Sequence, residues 1–465
     1  MIRTTWLVVA ATAASALVSA QNIDLGTITK GREIPVIAVP DFRGSGDAQG
    51  LMGTFNSTLQ GDLSNSGILK MAPRTQFPLF VPQRPEDFVT PPPVVETPHS
   101  RNREELVRPA NGGGRWITDW SGSPVNANYL AFGYTANVQG TLELRGWLYD
   151  LSKGTTSGAQ MLGKVYAATA DDAGARQVAH QFAADILATF GAQSMFGTHI
   201  YFVSDRTGSK EIWVMDPDGR NQRQITRFRS TSIEPAISPD GTRLAFVSYA
   251  RGTPGIFVFS VDPPRDLRFY NQRASVNETP SFTPDGKQIV YSSSAPRDNC
   301  CRIYIANLDG TGFRPITSSS FIDVEPKVNP KTGSTIVFVS GRSGPQQVYL
   351  MNSDGTGIER LTPGEGEASN PSWNPDGQHI AFSWTRGFAA GNWNVFIMEV
   401  ASRQITQLTH SEGRNENPTW APDGVHLAFM STRAGGRQIW TMLADGTQAH
   451  QLTTQGHNES PVWGK

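Results

Sequence analysis

Cysteine is nearly absent from this 465-residue chain: only Cys300 and Cys301 occur, side by side. Adjacent cysteines cannot tie distant segments together, so no disulfide framework holds the fold. An excess of charge of either sign is missing too, with 40 Lys+Arg against 41 Asp+Glu. A surface built to grip nucleic acid or anionic lipid through a basic field is therefore not expected. Long apolar runs are lacking apart from Trp6 to Leu17, which follows Arg3 and ends in Val18, Ser19 and Ala20. That order reads as a secretory signal peptide over residues 1–20, too short to anchor the chain, so the mature chain is expected to begin near Gln21, exported and without a membrane span. No Cys stands at the cleavage site, which argues against a lipoprotein.

Catalytic signatures are also missing. There is no Gly-x-Ser-x-Gly elbow, because Pro345 follows Gly344 in the nearest approach, Gly341 to Gly344. A propeller peptidase is not expected, since no hydrolase segment follows the repeats described next. The eight His residues show no zinc spacing, and the glycines form neither a dinucleotide nor a phosphate loop. His180, on an expected helix, reads as a structural histidine. No catalytic residue is assigned.

What is present is a repeat. Pro235, Pro280, Pro326, Pro371, Pro418 and Pro461 stand 45, 46, 45, 47 and 43 residues apart, close to the period of propeller blades. Four residues after each of the first five comes a second proline that opens a turn, Pro-Asp-Gly in four copies and Pro330, Lys331, Thr332, Gly333 in the third. Pro presets φ, Asp bonds nearby backbone and Gly accepts positive φ, so these Asp residues are turn formers. Apolar runs such as Leu244 to Val247 and Ile336 to Val339 follow, and read as strands buried on both faces. A third strand and a short fourth ending in Thr complete each unit. Ile200 to Ser204 matches a second strand with no first strand before it, and Pro461 to Trp463 supplies the missing one. The ring is thus expected to close through its last strand, which removes the exposed edges of an open array.

Residues 21–196 change pattern. Strands are expected at Ile34–Val39, Ile68–Met71, Tyr129–Ala136, Thr141–Leu151 and Met161–Ala168, with helices at Ala48–Leu63 and Asp172–Thr189. The fold class is therefore two-domain: a small α+β N-terminal domain, then a six-bladed all-β propeller over 197–465 closed by the C-terminal strand. A Pro-rich insertion over about 78–109, centred on Pro91 to Pro93, is expected to be extended and solvated.

Acidity recurs one or two residues before five of the six repeat prolines: Glu234, Glu278, Glu325, Glu416 and Glu459, with Asn277, Asp323, Asn370 and Asn417 nearby. At one mouth of a propeller these groups are expected to form a polar ring, suited to calcium or to a basic partner segment. Turns bearing Arg206, Arg342 and Arg433 also recur, and hairpin geometry accounts for them.

Domain order, the stretches Ile37 to Arg43, Ser66 to Ile68 and His180 to Leu187, the run Gly197 to Ser204 and the blade repeat together resemble the TolB family of the periplasmic Tol-Pal system. The resemblance covers almost all of the mature chain. It implies a non-enzymatic, monomeric periplasmic protein without a required cofactor, binding the lipoprotein Pal through the propeller funnel and TolA through the mature N-terminus. Such proteins act in outer-membrane integrity and constriction at cell division. The matching funnel positions are Val276, Asn277, Glu278 and Thr279 in one blade and Asp323, Val324 and Glu325 in the next; the TolA segment would begin Gln21, Asn22, Ile23, Asp24, Leu25. A calcium-dependent propeller enzyme of the lactonase or sugar-oxidoreductase kind and a general exported binding module stay open as alternatives.

Overall fold

The computed structural model describes residues 34–91, 112–266, 276–295, 301–318 and 320–465. The expected signal peptide, the segment Gln21 to Leu25 and most of the Pro-rich insertion lie outside them.

The N-terminal unit is a mixed sheet. Strands β1 (Val36–Ala38), β2 (Arg43–Ser45), β3 (Lys70–Met71), β4 (Tyr129–Val138), β5 (Thr141–Asp150) and β6 (Gln160–Thr169) run in the order β3-β1-β4-β5-β6, with β2 paired to β4. The first two and β3 are parallel to their neighbours, while β4, β5 and β6 form an antiparallel meander. Helices Met52–Ser64 and Asp172–Thr189 cover one face, burying Phe55, Leu59, Phe182 and Ile186 against Leu142, Leu144 and Leu148. Asp171 caps the longer helix, its carboxylate accepting the Gly174 amide at 2.7 Å, where Asp also favours the positive end of the helix dipole.

The opposite face shows where the sequence reading falls short. Residues 78–91 are not a solvated loop: Phe88 is buried and packs edge-on to Phe132 at 5.4 Å, and Phe80 and Val89 donate amide hydrogen bonds to Gly113 and Arg115. A short 3-10 turn at Pro85–Asp87 interrupts the described part of this stretch, and aromatic residues between its prolines find an apolar sheet face to cover. β2 was also not foreseen, since Arg43, Gly44 and Ser45 carry no apolar alternation and the strand exists through its pairing with β4.

Among the described residues the C-terminal part forms six four-stranded antiparallel sheets. Blade one is Ser232–Ile237, Arg243–Ser248, Gly255–Val261 and Pro264–Asp266. Blades two to five begin with innermost strands Asn277–Phe282, Asp323–Val328, Ala368–Trp373 and Asn415–Trp420. Blade six joins Asn458–Gly464 to His199–Ser204, Glu211–Met215 and Arg223–Gln224, so the last strand of the chain closes the ring. Its fit is tight: a Cβ on Gly464 would lie 2.4 Å from Ile237 of blade one.

The turns behave as their residues require. Asp240, Asp285, Asp376 and Asp423 each accept the amide two positions on. In the third copy, where Lys331 replaces Asp, Asn329 takes over by accepting the amides of Lys331 and Thr332. The terminal Thr of the fourth strand also has a job: Thr226, Thr317, Thr362, Thr409 and Thr453 each accept an amide from the start of the third strand.

The Arg turns prove to be internal clamps. Arg206, Arg342 and Arg433 each donate from Nε to the serine closing the second strand, and reach with a second nitrogen to Asn458, Asp323 or Asn415 at the start of the first. Each guanidinium also lies over aromatic rings of its own blade, as do Arg251 and Arg386. Hydrogen bonding and cation–π attraction together fix the outer hairpin against the inner strand.

Candidate functional site

Each innermost strand slips register at its proline, and the residue just before that proline has φ near +50°. The six are Glu234, Thr279, Glu325, Asn370, Asn417 and Ser460. A left-handed conformation is uncommon for residues other than Gly, and strain of this kind concentrates at functional sites. The bulge turns all six toward the central channel, a cavity of about 540 Å³ that they line together with the repeat prolines and Trp373, Trp420 and Trp463.

The acidic residues expected to form one ring therefore divide into two sets. Glu234 and Glu325, adjacent to the proline, lie inside the channel. Glu278, Glu416 and Glu459, one residue earlier, are outside its lining. A single residue of offset at a bulge decides the side, because side chains alternate along a strand.

Inside, the first four blades are linked in turn. Glu234 accepts the Thr279 amide at 2.7 Å, the Thr279 hydroxyl accepts the Glu325 amide at 3.2 Å, and Glu325 accepts the Asn370 amide at 2.5 Å. Lys327 stands beside this chain, at a position where the other blades carry Ala236, Ser281, Ser372, Thr419 and Val462. Burial pushes the Glu234 carboxyl up to about 7, with Glu278 and Glu325 adding to the rise and the Thr279 amide and Lys327 opposing it. Burial likewise raises Glu325 and lowers the Lys327 ammonium, whose two glutamate neighbours resist the change. Sequence reading missed Lys327; its signal was a long cation at a position otherwise occupied by small or β-branched residues.

The sign of the Glu234 effect is set by which state holds the proton. Between pH 4.5 and about 7 the folded chain keeps a proton that the unfolded chain has released, so stability falls as pH rises through that window. The expected loss is about 3 kcal/mol, and Glu234→Gln should flatten it. Urea unfolding across this range provides the measurement; identical slopes for the two proteins would contradict the assignment.

The remaining candidates are placed differently. Asn277 and Asp323 are buried, hydrogen-bonded to Ser293 at 2.9 Å and Ser340 at 2.6 Å. They belong to the blade's own hairpin anchor, and a partner could reach them only by opening it. Val276 and Val324 are partly exposed. Glu278 is raised by burial and lies 3.9 Å from Sγ of Cys301, which is disulfide-bonded; Cys300 falls outside the described residues. Glu416 is held by Arg414, and Glu459 by Lys210 and by Arg437 at 2.7 Å. Two of these three carboxylates thus already have cationic neighbours. Among the described residues no group of three or more His, Cys, Asp or Glu is arranged to hold a metal ion.

These carboxylates occupy the end of the ring where first strands begin and second strands finish. Tyr249, Phe321, Ile322 and Phe388, all substantially exposed, decorate the same end. The N-terminal unit packs against the other end, where Asn65 meets His426 and Gly67 sits against Val425 and Leu443. Among the described residues, the N-terminal unit thereby covers one face of the propeller and leaves the other open.

A family model described as the TolB β-propeller domain matches residues 187–387 and 363–465. A protein named TolB homolog from Chlorobium luteolum is 36% identical over 246 residues, covering 52% of this chain and 53% of that one. Another from Chlorobium chlorochromatii is 32% identical over 219 residues, 47% of each. The chain spans about half the length of these relatives. The crystal structure of TolB from Acinetobacter baumannii superposes with a TM-score of 0.72 at 20% identity, over 93% of this chain and 97% of that one, which establishes a shared two-part fold. The matched model spans the whole propeller, and the chain belongs to the TolB β-propeller family.

Proposed function

We propose that this chain is a non-enzymatic periplasmic component of the Tol-Pal system that docks the lipoprotein Pal on its open propeller face and contacts TolA through the mature N-terminus, serving outer-membrane integrity, constriction at division and the protein transport linked to them. One observation carries the reading. The face opposite the N-terminal unit combines exposed Phe321, Ile322, Tyr249 and Phe388 with the carboxylates of Glu278, Glu416 and Glu459. Aromatic anchors beside carboxylates, two of them paired with Arg or Lys, are what a protein partner with its own mixed charges can use. Among the described residues no helix is long and apolar enough to cross a membrane.

Capture of the mature chain on the immobilised periplasmic domain of Pal tests it. Wild type should bind, and Phe321→Ala combined with Glu278→Ala should weaken binding about tenfold or more, the size of a central hot spot. Ile358→Ala, an exposed residue at the covered end, should bind like wild type. Failure of wild type to bind, or equal loss in the control, would refute the proposal.

A further inference from the structure

A second cavity, of about 380 Å³, lies where the N-terminal unit meets blades five and six. Four histidines and four aspartates line it, and one hydrogen bond, between His426 and the Asn65 carbonyl, crosses the junction. His426, in the turn of blade five, is almost fully buried; Nδ1 faces Asp423 at 2.6 Å and Nε2 faces the backbone carbonyl of Asn65 at 2.5 Å. A carbonyl can only accept, and Asp423 stays ionised because its other oxygen takes the amides of Val425 and His426. Both imidazole nitrogens must then donate, so His426 is an imidazolium whose second proton fastens the loop after the first helix to the propeller.

The second contact lies a few residues away. His180 of the long helix pairs with Asp62 of the first helix at 2.6 Å and stacks on Phe196 of the connecting segment at 5.4 Å. Asp216 and Asp218, from a turn of blade six, approach the same pair. With His180 charged, one cation sits among three carboxylates contributed by both units. With it neutral, Asp62 faces Asp216 and Asp218 uncompensated.

We infer that this junction is a protonation-dependent latch, in which His426 and His180 as imidazolium ions hold the N-terminal unit against the propeller and release it when they lose their protons. The other titratable groups lining the cavity are His199, beside Asp216 at 3.7 Å, and His450, beside Thr441. Burial lowers His199, with Asp216 opposing and Arg223 assisting, so it adds little positive charge to the latch near neutrality. Trp463 of the closing strand flanks His426 with ring centres 6.4 Å apart and brings no charge.

The direction follows from the two histidines. Burial works to lower His426 and His180, but Asp423 and the Asn65 carbonyl raise the first, and Asp62, Asp218 and Asp216 raise the second; both end above the ordinary 6.5. The latch is thus complete below the ordinary histidine value and lost as pH climbs through the raised ones. Release belongs to the alkaline side, and mild acid leaves the latch shut.

Spin labels on Ser57→Cys and Ala449→Cys, both exposed and on opposite sides of the junction, report its opening in the full mature chain. A single narrow distance is expected at about pH 6, and a longer component at about pH 9.5, with a midpoint above the ordinary histidine range. His180→Gln with His426→Gln should remove the pH dependence. A wild-type distribution unchanged between the two conditions, or a double variant that keeps the shift, overturns the inference. If the double variant does not fold, His426→Gln alone must shrink the longer component, since its amide can donate to Asn65 without titrating; an unchanged component then counts against the latch. No partner protein enters this experiment, so its outcome is separate from that of Pal capture.

Discussion

A chain cut after Gly456 will not form a closed propeller. The deletion removes the innermost strand of blade six and with it the ladder to Ile200, Tyr201 and Val203. It also empties the site of Trp463, buried at 5% exposure with its indole N–H donating to Thr198 at 2.9 Å. Truncating a buried tryptophan alone costs about 3–5 kcal/mol. Losing the strand also leaves the edge of His199–Ser204 unpaired and the ring open, so the total approaches the whole stability of an ordinary domain, about 5–15 kcal/mol. Calorimetry should find no cooperative propeller transition and size exclusion should find aggregate, whereas Trp463→Phe in the full-length chain should retain a transition at lower temperature. A monomeric truncated protein with a sharp transition would show that the ring does not need this closure.

The second large effect concerns Arg342. Its guanidinium meets the fully buried Asp323 at 2.9 Å and lies 5.1 Å from the ring centre of Tyr349. Arg342→Ala takes the cation at 2.9 Å away from this buried carboxylate, and breaking a buried pair from one side costs about 3–5 kcal/mol. Asp323→Asn should cost far less, about 1 kcal/mol, because blade five already uses that pairing: Arg433 donates to Asn415 at 3.0 Å in the same geometry. The asymmetry is the test. Equal denaturation midpoints for the two variants would mean that the pair contributes through shape and not through charge.

Much of the architecture was legible because the propeller repeats its instructions. Proline spacing, the turn residues and the orphan strand Ile200 to Ser204 fixed the blade number and the closure, and helix Asp172–Thr189 fell where its pattern placed it. The site was harder to read. Glu234 and Glu278 look equivalent in a list of acids near prolines, yet a bulge puts one in the channel and leaves the other outside it. Lys327 acquires meaning only when six blades are superimposed and its neighbours are seen to be small or uncharged. Asn277 and Asp323, offered by resemblance as partner contacts, turn out to be anchors whose burial no single-sequence pattern reveals. His426 was invisible for another reason: its partner Asn65 is 361 residues away and offers only a backbone carbonyl.

The closing strand also governs time. Strand His199–Ser204 is synthesised early and its neighbour Asn458–Gly464 comes last, so one side of blade six waits while the five intervening blades are made. At about 5–20 residues per second that wait is on the order of tens of seconds. The N-terminal unit, whose core is complete by Thr189, can fold at once. The propeller remains an open arc, with the edge of His199–Ser204 unpaired, until Asn458–Gly464 is made, and this is the interval in which the chain is most exposed to misassembly.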